Sequence, residues 1–237
     1  MTKSTTSFSV FLVSAALAVS NPLAQTSDSS LVVTEAQYEQ WKTELSNWGR
    51  WGENDEIGAL NLITPAKRLQ AVSLVEDGIT VSLASDGDTV EAVDNQYPYE
   101  HTMFGISSDR IAVRYHGISH THLDSLAHIN ANGVFYNGYT PNAEAVAARG
   151  HEKNSIHNVK SGIVTRGILI DIPRLRNVPY LEPGTPIYIE DLEAWERRAG
   201  VRVSSGDAVF VRTGVWARRA SEGPWLRGRR PGGRSAG

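Results

Sequence analysis

The sequence predicts a mixed α/β domain, on three observations. Short runs with strand patterning, ITVSLA at residues 79–84, GILIDI at 167–172 and GDAVFVRTGVW at 206–216, are separated by stretches with helical spacing. The helical stretches carry recognisable starts and stops, and no self-similarity at solenoid spacing interrupts the alternation. With 237 residues and 41% hydrophobic content, the chain can bury one core, so a single main domain is expected.

The elements follow in chain order. MTKSTTSFSVFLVSAALAVSNPLAQ has a cation at Lys3, an apolar stretch from Phe8 to Val19 and small residues after it. This is the pattern of a secretory signal, expected over residues 1–24 with cleavage after Ser20 or Ala24. The apolar stretch is shorter than the roughly 20 residues a permanent span needs, so no membrane attachment is expected after cleavage. Export to the periplasm or the medium follows. Residues 25–45 read as a linker passing into a first helix, with Val33, Tyr38, Trp41 and Leu45 as its apolar positions.

The main domain is expected over residues 46–219. Thr64 caps a helix whose first turn takes Pro65, whose apolar positions are Leu69, Val72 and Val75, and which ends at Gly78. Alternation predicts a strand over 79–84, and polar, turn-rich composition a loop over 86–100. In DRIAVRYHGI, Ile111, Val113 and Tyr115 alternate with polar neighbours, so extended structure runs to a histidine cluster on or beside a strand. A short Ala-rich helix is expected over 142–149. GILIDI reads as a strand buried on both faces. IEDLEAWERRAG reads as a helix with Leu192 and Trp195 on its inner side and Gly200 at its C-cap, followed by a second buried strand in GDAVFVRTGVW. Trp48, Trp51 and Trp195 are expected in core packing. From about Ala220 to residue 237 the sequence is rich in Arg and Gly and is expected to be a disordered tail.

Composition narrows the chemistry. A net charge of -3 does not favour a phosphate-backbone binder, so nucleic acid is not an expected partner. The absence of cysteine removes disulfides, thiolate nucleophiles and Cys-ligated zinc. A metal would have to sit on His, Asp and Glu.

Those residues cluster. Four of the seven histidines, His116, His120, His122 and His128, lie in one short segment with Asp124 among them. On an extended chain, side chains two apart share a face, so His120, His122 and Asp124 would present two imidazoles and a carboxylate together. Such a set suits zinc, manganese or iron(II), and three protein ligands leave positions open for water and substrate. His128, four residues past Asp124, is the candidate general acid/base. His116 shares the parity of His120 and is a further ligand or a partner of one. Asp124 has an alternative use as the cap of a helix starting at Ser125. His101, His151 and His157 have no partner spacing and read as surface residues.

WGENDEIGALNLITPAKR, HGISHTHLDSLAH and GDAVFVRTGVW together resemble the metal-dependent cyclase and hydrolase family that includes bacterial kynurenine formamidase and isatin hydrolase. The resemblance covers about residues 48–219, and its specific part is the middle motif, HxGTHxDxxxH in the wider family. It places His122 and Asp124 on metal ligands and His128 on the catalytic histidine. Ile118 occupies the first-ligand position and His120 replaces the motif's glycine, leaving His120 or His116 to complete the set. The resemblance implies a swivelling β/β/α domain, a homo-oligomer, a divalent metal (zinc or manganese), and hydrolysis of a C–N bond in a small-molecule amide such as an aryl formamide or a cyclic amide. It also implies a His and a Glu ligand from a later region, whereas the chain has no histidine beyond His157. With the compositional break near Ala220, this gives the expectation of a C-terminally shortened chain, as a frameshift would produce. Two other readings therefore accompany the hydrolase: an inactive metal-binding product of the same family, and an exported non-enzymatic metal-binding protein.

Overall fold

A computed structural model describes residues 33–116 and 119–226. The expected signal segment and most of the Arg/Gly-rich tail lie outside them. The chain divides into two units, residues 1–46 and 47–237. Among the described residues, no helix is long and apolar enough to cross a membrane.

The first unit contributes α1 (Glu35–Glu44). Thr34 starts it with a reciprocal cap: its hydroxyl accepts from the Gln37 amide at 3.2 Å, while its own amide donates to Gln37 Oε1 at 3.0 Å. None of its residues is buried, so capping and local charge pairs such as Lys42–Glu39 hold this helix.

The second unit begins with the turn-rich segment around Gly58–Leu62 and continues into α2 (Pro65–Val72). Thr64 caps α2 and Pro65 occupies its first turn, as expected. The helix ends at Val72 and not at Gly78. The Ser73 hydroxyl donates to Gln70 O at 2.7 Å, and Leu74 and Val75 close short turns onto Ala71 and Val72, so the backbone leaves the helical ladder there. The inner residue of α2 is Lys67, while Leu69, Val72 and Val75 are exposed.

Residues 79–84 are extended but form no strand, and Ile79 and Val81 are each 77% exposed. Alternation makes a segment fit for a sheet, but the ladder needs a neighbour, and none of the described strands lies beside it. The next strands, β1 (Glu100–Met103) and β2 (Asp109–Ala112), form an antiparallel hairpin in which Glu100 faces Ala112 and Met103 faces Asp109. The histidine cluster starts four residues after β2, beside the strand and not on it. α3 (Ala143–Arg149) follows, capped by Asn142 Oδ1 on the Ala145 amide at 2.9 Å.

The core forms where β3 (Gly167–Asp171), α4 (Ile172–Arg176), α5 (Ile189–Ala199) and β4 (Ala208–Arg212) come together. β3 and β4 pair in parallel, with Gly167 opposite Ala208 and Asp171 opposite Arg212, so the two helices form the crossover between them. Ile168, Ile170, Ile172 and Trp195 are buried together, with Leu175, Leu181, Ile187, Leu192 and Val201 packed around them. The Trp195 indole N–H donates to Leu169 O at 2.8 Å, so the largest core side chain also satisfies its polar atom. Gly200 closes α5 in the left-handed conformation, φ 66°.

GILIDI was expected to be buried on both faces, yet β3 alternates: Ile168 and Ile170 are inside and Leu169 is 51% exposed. The apolar residues of β4, Val209, Phe210 and Val211, are likewise exposed. Leu169 and its register partner Phe210 share the side that the crossover helices leave uncovered, while Val209 and Val211, in register with Ile168 and Ile170, stay exposed on the helix side because the helices bury β3 more fully than β4. α6 (Val215–Glu222) follows, so the expected tail at Ala220 starts inside a helix; Arg218 lies over the Trp225 ring at 4.7 Å. Trp195 takes its expected core place, whereas Trp48 is exposed and Trp51 half-buried.

One charged node joins α2 to the strand pair. The Asp207 side chain is inaccessible to solvent and accepts from Lys67 Nζ at 2.5 Å, from Arg166 Nη2 at 2.6 Å and from the Ser204 amide at 2.7 Å. Gly206 beside it has φ 79°, and a Cβ there would come within 2.5 Å of Leu62 O, so the close approach of the two segments requires glycine. The Arg166 guanidinium holds the Asp207 carboxyl well below the usual carboxylate range, against the opposing effect of burial, with Lys67 and Ser204 adding to it.

A carboxylate held low in the folded state contributes stability above its unfolded pKa of about 4 and loses it as the pH falls below that value. Asp207→Asn should therefore cost about 3 kcal/mol at pH 7, because it leaves Lys67 without its counter-charge. The gap to the wild type should narrow as the pH falls from 4 towards 2. Urea unfolding followed by circular dichroism at pH 7, 4 and 2.5 measures this; an unchanged gap would show that the node is not held by charge.

Candidate metal centre

The site rests on a polar brace contributed by the WGENDEIGALN segment. Asp55 accepts from the Gly58 amide at 2.8 Å, from Asn61 Nδ2 at 2.6 Å and from the Tyr136 hydroxyl at 2.8 Å. Burial raises the Asp55 pKa, but these hydrogen bonds outweigh it and leave the carboxyl below its ordinary value. The Tyr136 phenol is pushed up to about 12 by its burial and by the Asp55 carboxylate it bonds. Glu56 Oε2 accepts from the Asn154 amide at 2.9 Å and from Asn158 Nδ2 at 2.8 Å. Asn154, buried and left-handed at φ 61°, donates through Nδ2 to Tyr136 O and accepts at its carbonyl from the Ala127 amide at 3.0 Å. The brace thus ends one residue before His128.

The histidine segment is fixed at both ends. Upstream, the buried Ser119 hydroxyl donates to Asp94 O at 2.6 Å, and the Asp94 carboxylate takes Arg219 of α6 at 2.8 and 3.1 Å. Downstream, the His128 amide closes a turn on Ser125 O at 3.0 Å. Asp124 precedes this turn and caps no helix, because none starts at Ser125. The turn brings His128 back towards Asp124.

Three side chains converge. Asp124 Oδ1 lies 3.5 Å from His116 Nδ1 and 3.4 Å from His122 Nε2, and the three ligand atoms all lie within 4.8 Å of one another. His128 Nε2 is 3.8 Å from Asp124 Oδ2, and its ring stacks on that of His116 at 4.3 Å and 4°. His120 is placed elsewhere: its Nε2 lies 3.1 Å from Tyr97 O, and its ring is 6.5 Å from that of Tyr99. Among the described residues, the group able to hold a metal is therefore His116, His122 and Asp124, with His128 beside it. Strand parity, which pointed to His120, applies only where the chain stays extended. Here the segment bends at Ser119 and His120.

The donor set suits a divalent cation. His122 Nδ1 is 2.7 Å from the carbonyl oxygen of His120. A carbonyl only accepts, so Nδ1 carries the proton and Nε2 turns its lone pair towards Asp124. The separations of 3.4 and 3.5 Å are long for hydrogen bonds, and they match the roughly 3.4 Å between neighbouring ligands of a tetrahedral centre with bonds near 2.1 Å. The set opens into a cavity of about 710 Å³, bordered also by Tyr115, His151, Ser155 and Ile156.

His151 gave no signal in the sequence and had been read as a surface residue. It is half-buried on the wall of this cavity, 23 residues after His128, and only the folding of the intervening turns brings it there. His101 is paired with Asp109 on the exposed hairpin, and His157 is exposed, both as expected.

Zinc binding should follow this geometry. His122→Ala or Asp124→Asn should lower zinc content at least tenfold, as measured by elemental mass spectrometry after dialysis, and His116→Ala should do the same. His120→Ala should retain near-stoichiometric zinc; its loss would return His120 to the ligand set. Removing the brace hydroxyl with Tyr136→Phe should cost about 1–2 kcal/mol in urea unfolding, since Asp55 loses a donor.

Comparison with known proteins places this arrangement. No curated protein matches the chain. A crystal structure of a novel cyclase is similar over 73% of this chain at 32% identity and a TM-score of 0.64. The chain spans 62% of the length of that protein. The profile of the Cyclase family, described as "Putative cyclase", matches residues 79–234, which include the strand pair and the entire histidine segment. The mixed α/β fold built around this segment is that of the relative, and the chain belongs to the Cyclase family.

Proposed function

We propose that the chain is a metal-dependent hydrolase of a C–N amide bond, acting on an aryl formamide or a cyclic amide. The observation that carries the reading is the locked ring of His122, whose lone pair is aimed with His116 and Asp124 at one point on the wall of an open cavity. His116 Nδ1, His122 Nε2 and Asp124 Oδ1 would hold the ion, zinc or manganese. A divalent metal bound there supplies Lewis acidity that polarises an amide carbonyl and makes a water easier to deprotonate.

The remaining chemistry belongs to side chains. His128 Nε2 faces the same carboxylate from the other side and takes a proton from the attacking water as its oxygen bonds to the carbonyl carbon. It returns that proton to the departing nitrogen as the C–N bond breaks, giving an acid and an amine. The stacked ring of His116 holds His128 in this position. Tyr115 and Ile156 give the cavity apolar walls for an aromatic or cyclic substrate.

Association with a second copy fits the uncovered side of the strand pair, where Leu169 and its register partner Phe210 are exposed. Export to the periplasm or the medium fits the N-terminal signal pattern, and the overall charge argues against nucleic acid as a partner.

Protein loaded with zinc or manganese should hydrolyse formanilide or isatin. His128→Ala should lower kcat about 10²- to 10⁴-fold while keeping its metal. Stoichiometric metal with no turnover of either compound would overturn the hydrolase and favour a non-enzymatic metal-binding protein.

A further inference from the structure

His151 stands out among the polar side chains outside the proposed ligand set. Its Nδ1 is buried with no hydrogen-bond partner among the described residues. The ring packs against Phe135, centroids 4.8 Å apart, and lies 6.3 Å from that of Tyr139, yet it also borders the cavity that holds His116, His122, Asp124 and His128. One nitrogen is therefore enclosed by aromatic neighbours while the same side chain faces the reaction space.

We propose that His151 is the substrate-positioning residue of this site: a neutral imidazole whose Nε2–H, facing the cavity, donates to a carbonyl oxygen of the bound amide. The inference rests on the reading of the cavity as a reaction site and adds to it the group that orients the ligand. The choice of tautomer follows from burial. A buried N–H without an acceptor is rarer and more costly than an acceptor left without a donor, so the single proton of the neutral ring belongs on Nε2. Phe135 and Tyr139 fix the plane of the ring, so the donor is presented with little rotational freedom. The sheltered position among aromatic rings also separates His151 from the ligand set, whose members are exposed.

Two measurements on the full chain test this. Long-range proton–nitrogen NMR at pH 8, with the His151 signals assigned by their loss in His151→Gln, should show the Nε2–H tautomer; an Nδ1–H tautomer would overturn the proposal. Titration calorimetry of the zinc-loaded protein with acetanilide, an unactivated aryl amide, should give about tenfold weaker binding for His151→Phe than for the wild type. His151→Gln, which keeps a donor, should stay within about threefold, and zinc content should be unchanged in both. Equal affinity for the wild type and His151→Phe, or no acetanilide binding by the wild type, would overturn the proposal. Binding that depends on His151 without hydrolysis of formanilide would leave the positioning role standing while the hydrolase reading fails.

Discussion

The structure around the site depends on two adjacent carboxylates, Asp55 and Glu56. Neither touches the cavity's ligand atoms, yet between them they accept from the Gly58 amide, Asn61, Tyr136, the Asn154 amide and Asn158. Loop backbone far from any regular ladder must find hydrogen-bond partners, and these two side chains provide them. Asn137 works in the same way from the other side. Its Nδ2 donates to the carbonyls of Gly52, Glu53 and Asp55, and its Oδ1 accepts from the Gly49 amide. Polar side chains thus do here what strands do in the β3–β4 half: they fix one loop against another.

The legible parts of the sequence were those whose causes are local. The cap at Thr64, the short helix near 142–149 and the glycine at the end of α5 each depend on residues within a turn or two, and each was found where expected. What failed depends on distant partners. Residues 79–84 have the alternation of a strand, but pairing is supplied by another part of the chain, and the described residues supply none. GILIDI has the composition of a strand covered on both sides, and only its neighbours decide how many sides are covered. Gly78 looked like a stop because glycine often is one. The Ser73 hydroxyl ended the helix sooner by competing for its carbonyl.

The candidate site divides along the same line. That His122, Asp124 and His128 belong together could be read from their spacing and from the family motif. Which of His116 and His120 joins them could not, since the answer turns on a bend in the backbone at Ser119 and His120. The bend follows from the Ser119 hydroxyl reaching Asp94, a contact between loops that no periodicity reveals. His151 was beyond reach for a related reason: its place on the cavity wall is the product of the Tyr136 and Asn154 turns, held by the Asp55–Glu56 brace.

The pairing of Asp94 with Arg219 spans 125 positions of the chain. Contacts of such separation form late, because a long loop must close before they return any energy. The bend at Ser119 hangs on this contact through the Asp94 carbonyl. During synthesis, the histidine segment therefore leaves the ribosome well before the arginine that secures the loop beside it. For that interval the histidine segment lacks the anchor that sets its bend at Ser119, and its side chains are free to sample arrangements that the finished fold excludes.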